Sequence, residues 1–235
     1  MGYEMIVIPY FPNGRFGNRV LYYNNMRQLA AKKGWGYKSP SWEGDSVFDL
    51  QDDIRSDEIT QEVLEPCLGE KFFSDRHVPT REIFKLKNML TVPENSLAIH
   101  FRGTDFHSWN PEAVLDVDYY LNAIEEYGDV DNYYLFTDDM ELESYARVIG
   151  HLHTKGKTIV FGSPDSVFDD FNLMCRCDGI ISSPSTFAIS AGFIGKHKKI
   201  IHSEKWINSR VVGDDKFWVD LKNGGNEDYS LWRLV

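Results

Sequence analysis

An α/β fold built on parallel strands, in two parts, is the class this sequence predicts, and three observations predict it. Short apolar runs recur at residues 5–8, 97–99, 133–136, 158–161, 179–181 and 199–202. Most lead into a polar or glycine-bearing loop and then a stretch of helical spacing, the alternation of βαβ units. The 235 residues suffice for one large or two small domains, and the pattern sharpens after Pro93-Glu94-Asn95. We therefore expect one half over residues 1–92 and a second over 93–235.

The first strand, at residues 5–8, opens onto Gly14-Arg15-Phe16-Gly17-Asn18 and a helix expected over 19–33. Val20, Tyr23, Met26 or Arg27, and Ala30 or Ala31 share one face of that helix. Glycines at 14 and 17 let backbone approach a ligand at the helix start, where unpaired N–H groups favour negative charge. The Gly-x-x-Gly spacing is not a dinucleotide fingerprint, and a simple tight turn explains it equally well; Arg15 and Asn18 are what such a turn does not require. Between 34 and 92 the reading is thinner. An acidic stretch (Asp45, Asp49, Asp52, Asp53, Asp57, Glu58) reads as a solvated face, with helices expected around 58–66 and 80–90.

Leu97-Ala98-Ile99 leads into His100-Phe101-Arg102-Gly103-Thr104-Asp105, a buried strand carrying a polar cluster at its carboxyl end. Open α/β sheets bind ligands at such ends. Arg102 offers a fork of donors matched to phosphate, His100 can donate or accept near neutral pH, and Asp105 can orient either. An anion site and a purely structural ion-pair network are both compatible with that trio.

A helix over 118–127 follows, then a strand at 133–136 ending in Thr137-Asp138-Asp139. These adjacent carboxylates suit a metal ion, a ribose or base contact, or a helix cap. His151-Leu152-His153 reads as surface histidines, or as metal ligands on one strand face. Thr158 to Phe161 is a strand, and a helix bearing Val167, Phe168, Phe171, Leu173 and Met174 comes next. After a strand at 179–181, Ser185, Thr186 and Phe187 start a small-residue helix over 188–195, read as a second anion site or a plain N-cap by Ser185. Residues 199–202 form one more strand before a polar, tryptophan-bearing tail.

Composition excludes several classes. With 42% hydrophobic residues and no low-complexity tract, neither disorder nor a fibrous state is indicated. No apolar run approaches the ~20 residues of a membrane span, and the N-terminus reads as a strand rather than a signal peptide. A net charge of −11 argues against nucleic-acid or acidic-membrane partners, so any phosphate site is local. Cys67, Cys175 and Cys177 make an odd count, and the last two are too close for an unstrained bridge within one element. A reducing, cytoplasmic compartment fits, with Cys175 and Cys177 as small buried hydrophobes.

Taken in register, these motifs resemble the GDP-fucose-dependent fucosyltransferase superfamily, above all the α-1,2-fucosyltransferases. Gly14-Arg15-Phe16-Gly17-Asn18 is similar to its glycine loop, with a likeness to protein O-fucosyltransferases. His100-Phe101-Arg102-Gly103-Thr104-Asp105 is similar to its His-x-Arg-Arg-x-Asp motif, with Gly103 in place of the second arginine. Leu135-Phe136-Thr137-Asp138-Asp139, the run from Leu173 to Phe187, and Lys199-Ile200-Ile201-His202 with Trp206 continue the series. The resemblance implies a GT-B-like fold of two facing Rossmann-like halves with parallel sheets, the N-terminal one reduced and on the acceptor side. It implies inverting transfer of a sugar, L-fucose foremost, from a GDP-sugar donor to a glycan hydroxyl, with no metal or cofactor. Arg102, His100, Asp105 and Asn18 would be the catalytic set. Gly14, Arg15, Gly17, Asp138, Ser185, Thr186 and Phe187 would hold the donor. Two other readings stand beside it: a metal-dependent phosphoesterase using Asp138, Asp139, His100 and His107, and a non-catalytic nucleotide- or glycan-binding module. Trp42, Trp109 and Trp218 are candidates to stack on sugars, although tryptophan is more often core.

Overall fold

The computed structural model describes residues 5–7, 10–11, 14–50, 81–87, 90–163, 165–203 and 230–235. The helix expected around 58–66, together with Cys67, Trp206 and Trp218, lies outside the described residues. The chain forms two compact units, Met1–Asn88 with Asp215–Phe217, and Met89–Asp214 with Trp218–Val235.

In the first unit, β1 (Met5–Val7) and β2 (Gly36–Lys38) pair in parallel, and α1 (Phe16–Lys33) connects them. The helix starts three residues earlier than the spacing suggests, because Phe16 and Gly17 are already buried in its first turn. Of the alternatives on its inner face, Met26 and Ala30 are buried, beside Val20 and Tyr23. Gly34 ends it in the left-handed region (φ 68°), with its N–H on Ala31 O and that of Trp35 on Ala30 O, the paired bonds of a Schellman cap. A short helix, α2 (Gly44–Val47), precedes Phe48. Among residues 81–87 there is no helix, contrary to expectation. Backbone bonds there run instead to residues 47 and 49, while Phe84 buries edge-on against Phe48 and Tyr23.

The second unit holds a six-stranded, wholly parallel sheet among its described residues: β3 (Ser96–Phe101), β4 (Asn132–Thr137), β5 (Thr158–Phe161), β6 (Gly179–Ser182), β7 (Lys199–His202) and β8 (Trp232–Leu234), in the order β5-β4-β3-β6-β7-β8. Counted within the unit, that is 3-2-1-4-5-6, the doubly wound order whose chain direction reverses between β3 and β6. Its helices are α3 (Phe106–Trp109), α4 (Val117–Tyr127), α5 (Glu143–Thr154), α6 (Val167–Arg176) and α7 (Thr186–Ile194). Every residue of β3 is buried, as a central parallel strand covered on both faces requires. Leu97, Ile99 and Phe101 enter one core with Tyr119, Tyr120 and Ile124 of α4 and Tyr145, Val148 and Leu152 of α5. His100 points to the opposite face by the two-residue period of a strand.

The alternative that puts His151 and His153 on one strand face is corrected: both lie on α5, where Tyr145, Val148 and Leu152 supply the apolar face. In the tail, Trp232 buries beside β7 and adds a strand. Among the described residues no helix is long and apolar enough to cross a membrane.

Candidate functional site

The reversal between β3 and β6 places two loops side by side at the carboxyl ends of the strands: residues 102–105 after β3, and 183–186 after β6. His100, the penultimate residue of β3, is 6% exposed, and its Nδ1 lies 2.7 Å from Ser183 Oγ. Its ring is 5.6 Å from that of Phe187. Burial, with the nearby Arg102 charge adding to it and Asp138 opposing, pushes its pKa down to about 3. His100 is therefore a neutral imidazole at physiological pH. As a neutral ring it can still donate from one nitrogen and accept at the other, and its depth of burial is what the sequence does not show.

Arg102 is the centre of the loop. Its Nη1 pairs with Asp138 Oδ2 from the end of β4, its Nη2 lies 2.5 Å from Asp105 Oδ1, and its guanidinium sits 4.9 Å over the Phe106 ring. Asp138 also accepts the Gly103 N–H at 2.9 Å and the Thr104 hydroxyl at 2.7 Å. Burial alone would raise the Asp138 pKa; those two hydrogen bonds and the Arg102 charge outweigh it and hold the carboxyl low. Asp138 is thus the half-buried inner anchor. Asp105, with its side chain 51% exposed, is the outer partner.

Gly103 has a steric reason to lack a side chain. A Cβ there would lie 2.5 Å from Asp139 Oδ2, so the absent second arginine and the presence of Asp139 go together. Asp139 Oδ1 accepts the Glu141 N–H, and its Oδ2 lies 3.3 Å from His107 Nε2. Asp138 serves Arg102 while His100 turns to Ser183, so the four side chains of the phosphoesterase reading are not arranged as a ligand set. Among the described residues no group of three His, Cys, Asp or Glu side chains is placed to hold a metal ion.

Ser185 caps α7, its Oγ accepting the Phe187 N–H at 3.4 Å, which leaves the hydroxyl proton available to donate. No acidic side chain occupies the first turn of α7, so the positive end of the helix dipole is uncompensated there. Phe187 packs edge-on against Phe171 at 5.2 Å, fixing one wall. In the first unit, Gly14 adopts φ 137°, and a Cβ on it would lie 2.4 Å from Asn18 Nδ2; the glycine is what lets the Asn18 side chain fold back over the loop. Arg15, exposed, is the residue before α1, and Gly17 is buried within the first turn.

Asp170 is the residue the sequence reading missed. It lies in the first turn of α6, accepts the Ser163 N–H at 2.7 Å, and is pushed up to about 6 by burial, with Asp169 adding to the shift. A carboxyl poised near neutrality at the strand ends of a doubly wound sheet marks a functional candidate. Its only sequence signal is the Asp169-Asp170 pair, and nothing local says which of the two is buried. Cys175 and Cys177 are buried and in no disulfide, the latter with its thiol pushed up to about 12 by burial.

A family model described as Glycosyl transferase family 11 matches residues 80–218, a span covering the whole Arg102 loop and the start of α7. A search of curated proteins returns no match. The family match takes in more than half of the chain, on the same parallel sheet that carries the arginine and helix-end cluster, and the chain therefore belongs to glycosyl transferase family 11 and is a glycosyltransferase.

Proposed function

We propose that this protein transfers L-fucose from GDP-fucose to a hydroxyl of a glycan, with inversion at the anomeric carbon and without a metal ion. The observation that carries the reading is Arg102, stacked on Phe106 and anchored by Asp138 beside the β3–β6 reversal. In the displacement, the acceptor oxygen bonds to the anomeric carbon as the bond to the β-phosphate oxygen breaks. The electron pair departs with GDP, and the acceptor proton passes to a base. Arg102 meets the charge that develops on the leaving diphosphate, and the α7 N-terminus with the Ser185 hydroxyl, Thr186 and Phe187 holds phosphate and nucleoside. Asp105 is the candidate base, and His100, neutral, serves as a hydrogen-bonding wall. Gly14, Arg15, Gly17 and Asn18 are assigned to the sugar and diphosphate from the first unit, within a GT-B arrangement that forms part of this proposal.

Two carboxylates, Asp105 and Asp138, flank the Arg102 guanidinium, so the resting loop is not strongly positive. A diphosphate has to take the place of Asp105 on Arg102. Calorimetric titration with GDP, UDP and ADP, each with and without chelator, tests the reading. Binding selective for GDP and indifferent to chelator supports it; no nucleotide binding, or binding that needs added metal, overturns it. Arg102→Ala is expected to lower transfer by on the order of 10²–10³-fold, the scale of losing one preorganised donor to a developing charge, while circular dichroism is unchanged.

A further inference from the structure

The six-stranded sheet of the second unit has two edges, and they differ. At one edge, β8 carries an exposed charged residue, Arg233, at its centre. At the other, β5 reads Thr158-Ile159-Val160-Phe161, with no charge, proline or glycine, although Phe161 is 52% exposed. Natural edge strands are usually blunted by such residues, because an open row of N–H and C=O groups pairs readily with another strand. The alternation of a parallel ladder fixes which groups are open here. Thr158 N–H donates to Asp131 O and Gly162 N–H to Leu135 O, so residues 158, 160 and 162 face β4. Ile159 and Phe161 therefore turn their N–H and C=O groups outward, and among the described residues no hydrogen bond reaches them.

The open stretch ends where its flanks are used internally: Lys157 N–H donates to Leu152 O, and Ser163 N–H to Asp170 Oδ1. Beyond those points charge is divided by end. Lys155 is exposed on the N-terminal side, and Asp165 and Asp169 are exposed on the C-terminal side. Val160 is the midpoint, with Lys155 five residues before it and Asp165 five residues after. An antiparallel copy of the same strand, related by a two-fold axis through Val160, sets Ile159 opposite the partner's Phe161 on each side of the axis. Each such pair exchanges both of its backbone hydrogen bonds. Ile159 and Phe161 share one face of the strand, so each ring lands on a β-branched side chain, a favoured cross-strand pair. The same operation brings Lys155 to the partner's Asp165.

A segment that is basic before its midpoint and acidic after it complements itself when the two copies run antiparallel, as the closed two-fold symmetry of a dimer requires. We propose that β5 is the interface of a homodimer, in which two copies of this chain pair antiparallel about Val160 and join their sheets into one. The contact is small, so the dimer is transient and forms at high protein concentration. It lies at the sheet edge, two strands from β3, and does not rest on the glycosyl-transfer reading.

The test uses the full chain in sedimentation velocity, at concentrations from about 1 µM to about 300 µM. The mean mass is expected to rise from 27.2 kDa towards twice that value, and to rise less in ~0.5 M salt. Phe161→Pro removes an outward N–H and an exposed ring while sparing the bonds to β4, and is expected to leave the chain monomeric throughout. Lys155→Glu and Asp165→Lys are each expected to weaken dimerisation by roughly three- to tenfold, two symmetric pairs being lost at once, and the double variant to restore it. Cysteines read the register. Val160→Cys puts two thiols in a non-hydrogen-bonded pair with Cα atoms about 4.5 Å apart, within disulfide reach, and is expected to cross-link the copies on oxidation. Thr158→Cys faces the partner's Gly162 and is expected to stay uncross-linked, with the unsubstituted chain under the same oxidant as background. A chain monomeric at every concentration, a dimer indifferent to Phe161→Pro, a charge swap that fails to restore, or cross-linking as efficient at 158 as at 160 overturns the proposal. Should Phe161→Pro unfold the chain, the charge swap and the cysteine pair decide.

Discussion

Arg102 illustrates how much one residue's role depends on partners far away in sequence. Its fork of donors is intrinsic, but its orientation comes from Asp138, 36 positions on, and from Phe106 beneath it. Asp105 competes with any anion for the outer edge of that fork. Replacing it by Asn removes a half-exposed ion pair worth about 0.2–1 kcal/mol, so Asp105→Asn is expected to tighten GDP binding by up to roughly fivefold in calorimetry. If Asp105 is also the base, transfer falls at the same time by on the order of 10²–10⁴-fold. Tighter GDP with undiminished transfer assigns Asp105 to orientation only and sends the search for the base elsewhere. The Arg102-Gly103-Thr104-Asp105 cluster was legible as a candidate site from residue types at a strand end. The pairing of His100 with Ser183 and the raised Asp170 were not, because both depend on depth of burial, which no short window of sequence contains.

At the scale of elements, the reversal between β3 and β6 makes the site, and its packing is tight. Gly179, the first residue of β6, has no room for a side chain: a Cβ would lie 2.1 Å from the Tyr127 ring at the end of α4. Gly179→Ala is therefore expected to destabilise the second unit by about 1–3 kcal/mol, the usual cost of overpacking, read as a lower midpoint in urea unfolding. An unchanged midpoint would mean that Tyr127 swings aside at little cost. The strands at 5–8, 97–99, 133–136, 158–161, 179–181 and 199–202 were legible because a buried parallel strand is an uninterrupted apolar run. β2 and β8 were not, because Gly36-Tyr37-Lys38 and Trp232-Arg233-Leu234 are short and broken by polar or glycine residues. The face of α5 was present in Tyr145, Val148 and Leu152, a helical spacing that also places His151 and His153 on that helix.

For the molecule as a whole, buried titrating groups set the acid limit of stability. His100 and His202 are both held near pKa 3 by burial. The unfolded chain protonates them at about 6.5, so between pH 6.5 and 3 it binds two protons that the folded chain refuses. The stability they contribute is complete above about 6.5 and is lost as pH falls. Asp170 works the other way: its carboxyl, raised to about 6, keeps a proton in the fold that the unfolded chain has already released. The net difference near pH 5 is about one proton, and stability is expected to fall by on the order of 1.4 kcal/mol per pH unit there. Thermal midpoints measured from pH 7.5 to 4.5 check this, and a midpoint that rises on acidification would contradict the burial of the two histidines. His202→Phe is expected to flatten the profile.

By itself the sequence determined that this protein is α/β with parallel strands, where six of those strands run, and that an arginine follows the central one. These are properties of local periodicity and residue chemistry, which a short stretch of chain expresses whatever surrounds it. Only the tertiary structure decided the strand order, and hence that the loops after β3 and β6 are neighbours although some 80 residues of chain separate them. It also decided that Arg102 is shared between an inner and an outer carboxylate, and that β5 is left at an edge of the sheet. Such pairings are chosen by the burial and steric fit of the whole chain at once. An apolar run states that a face must be covered, not which distant segment will cover it.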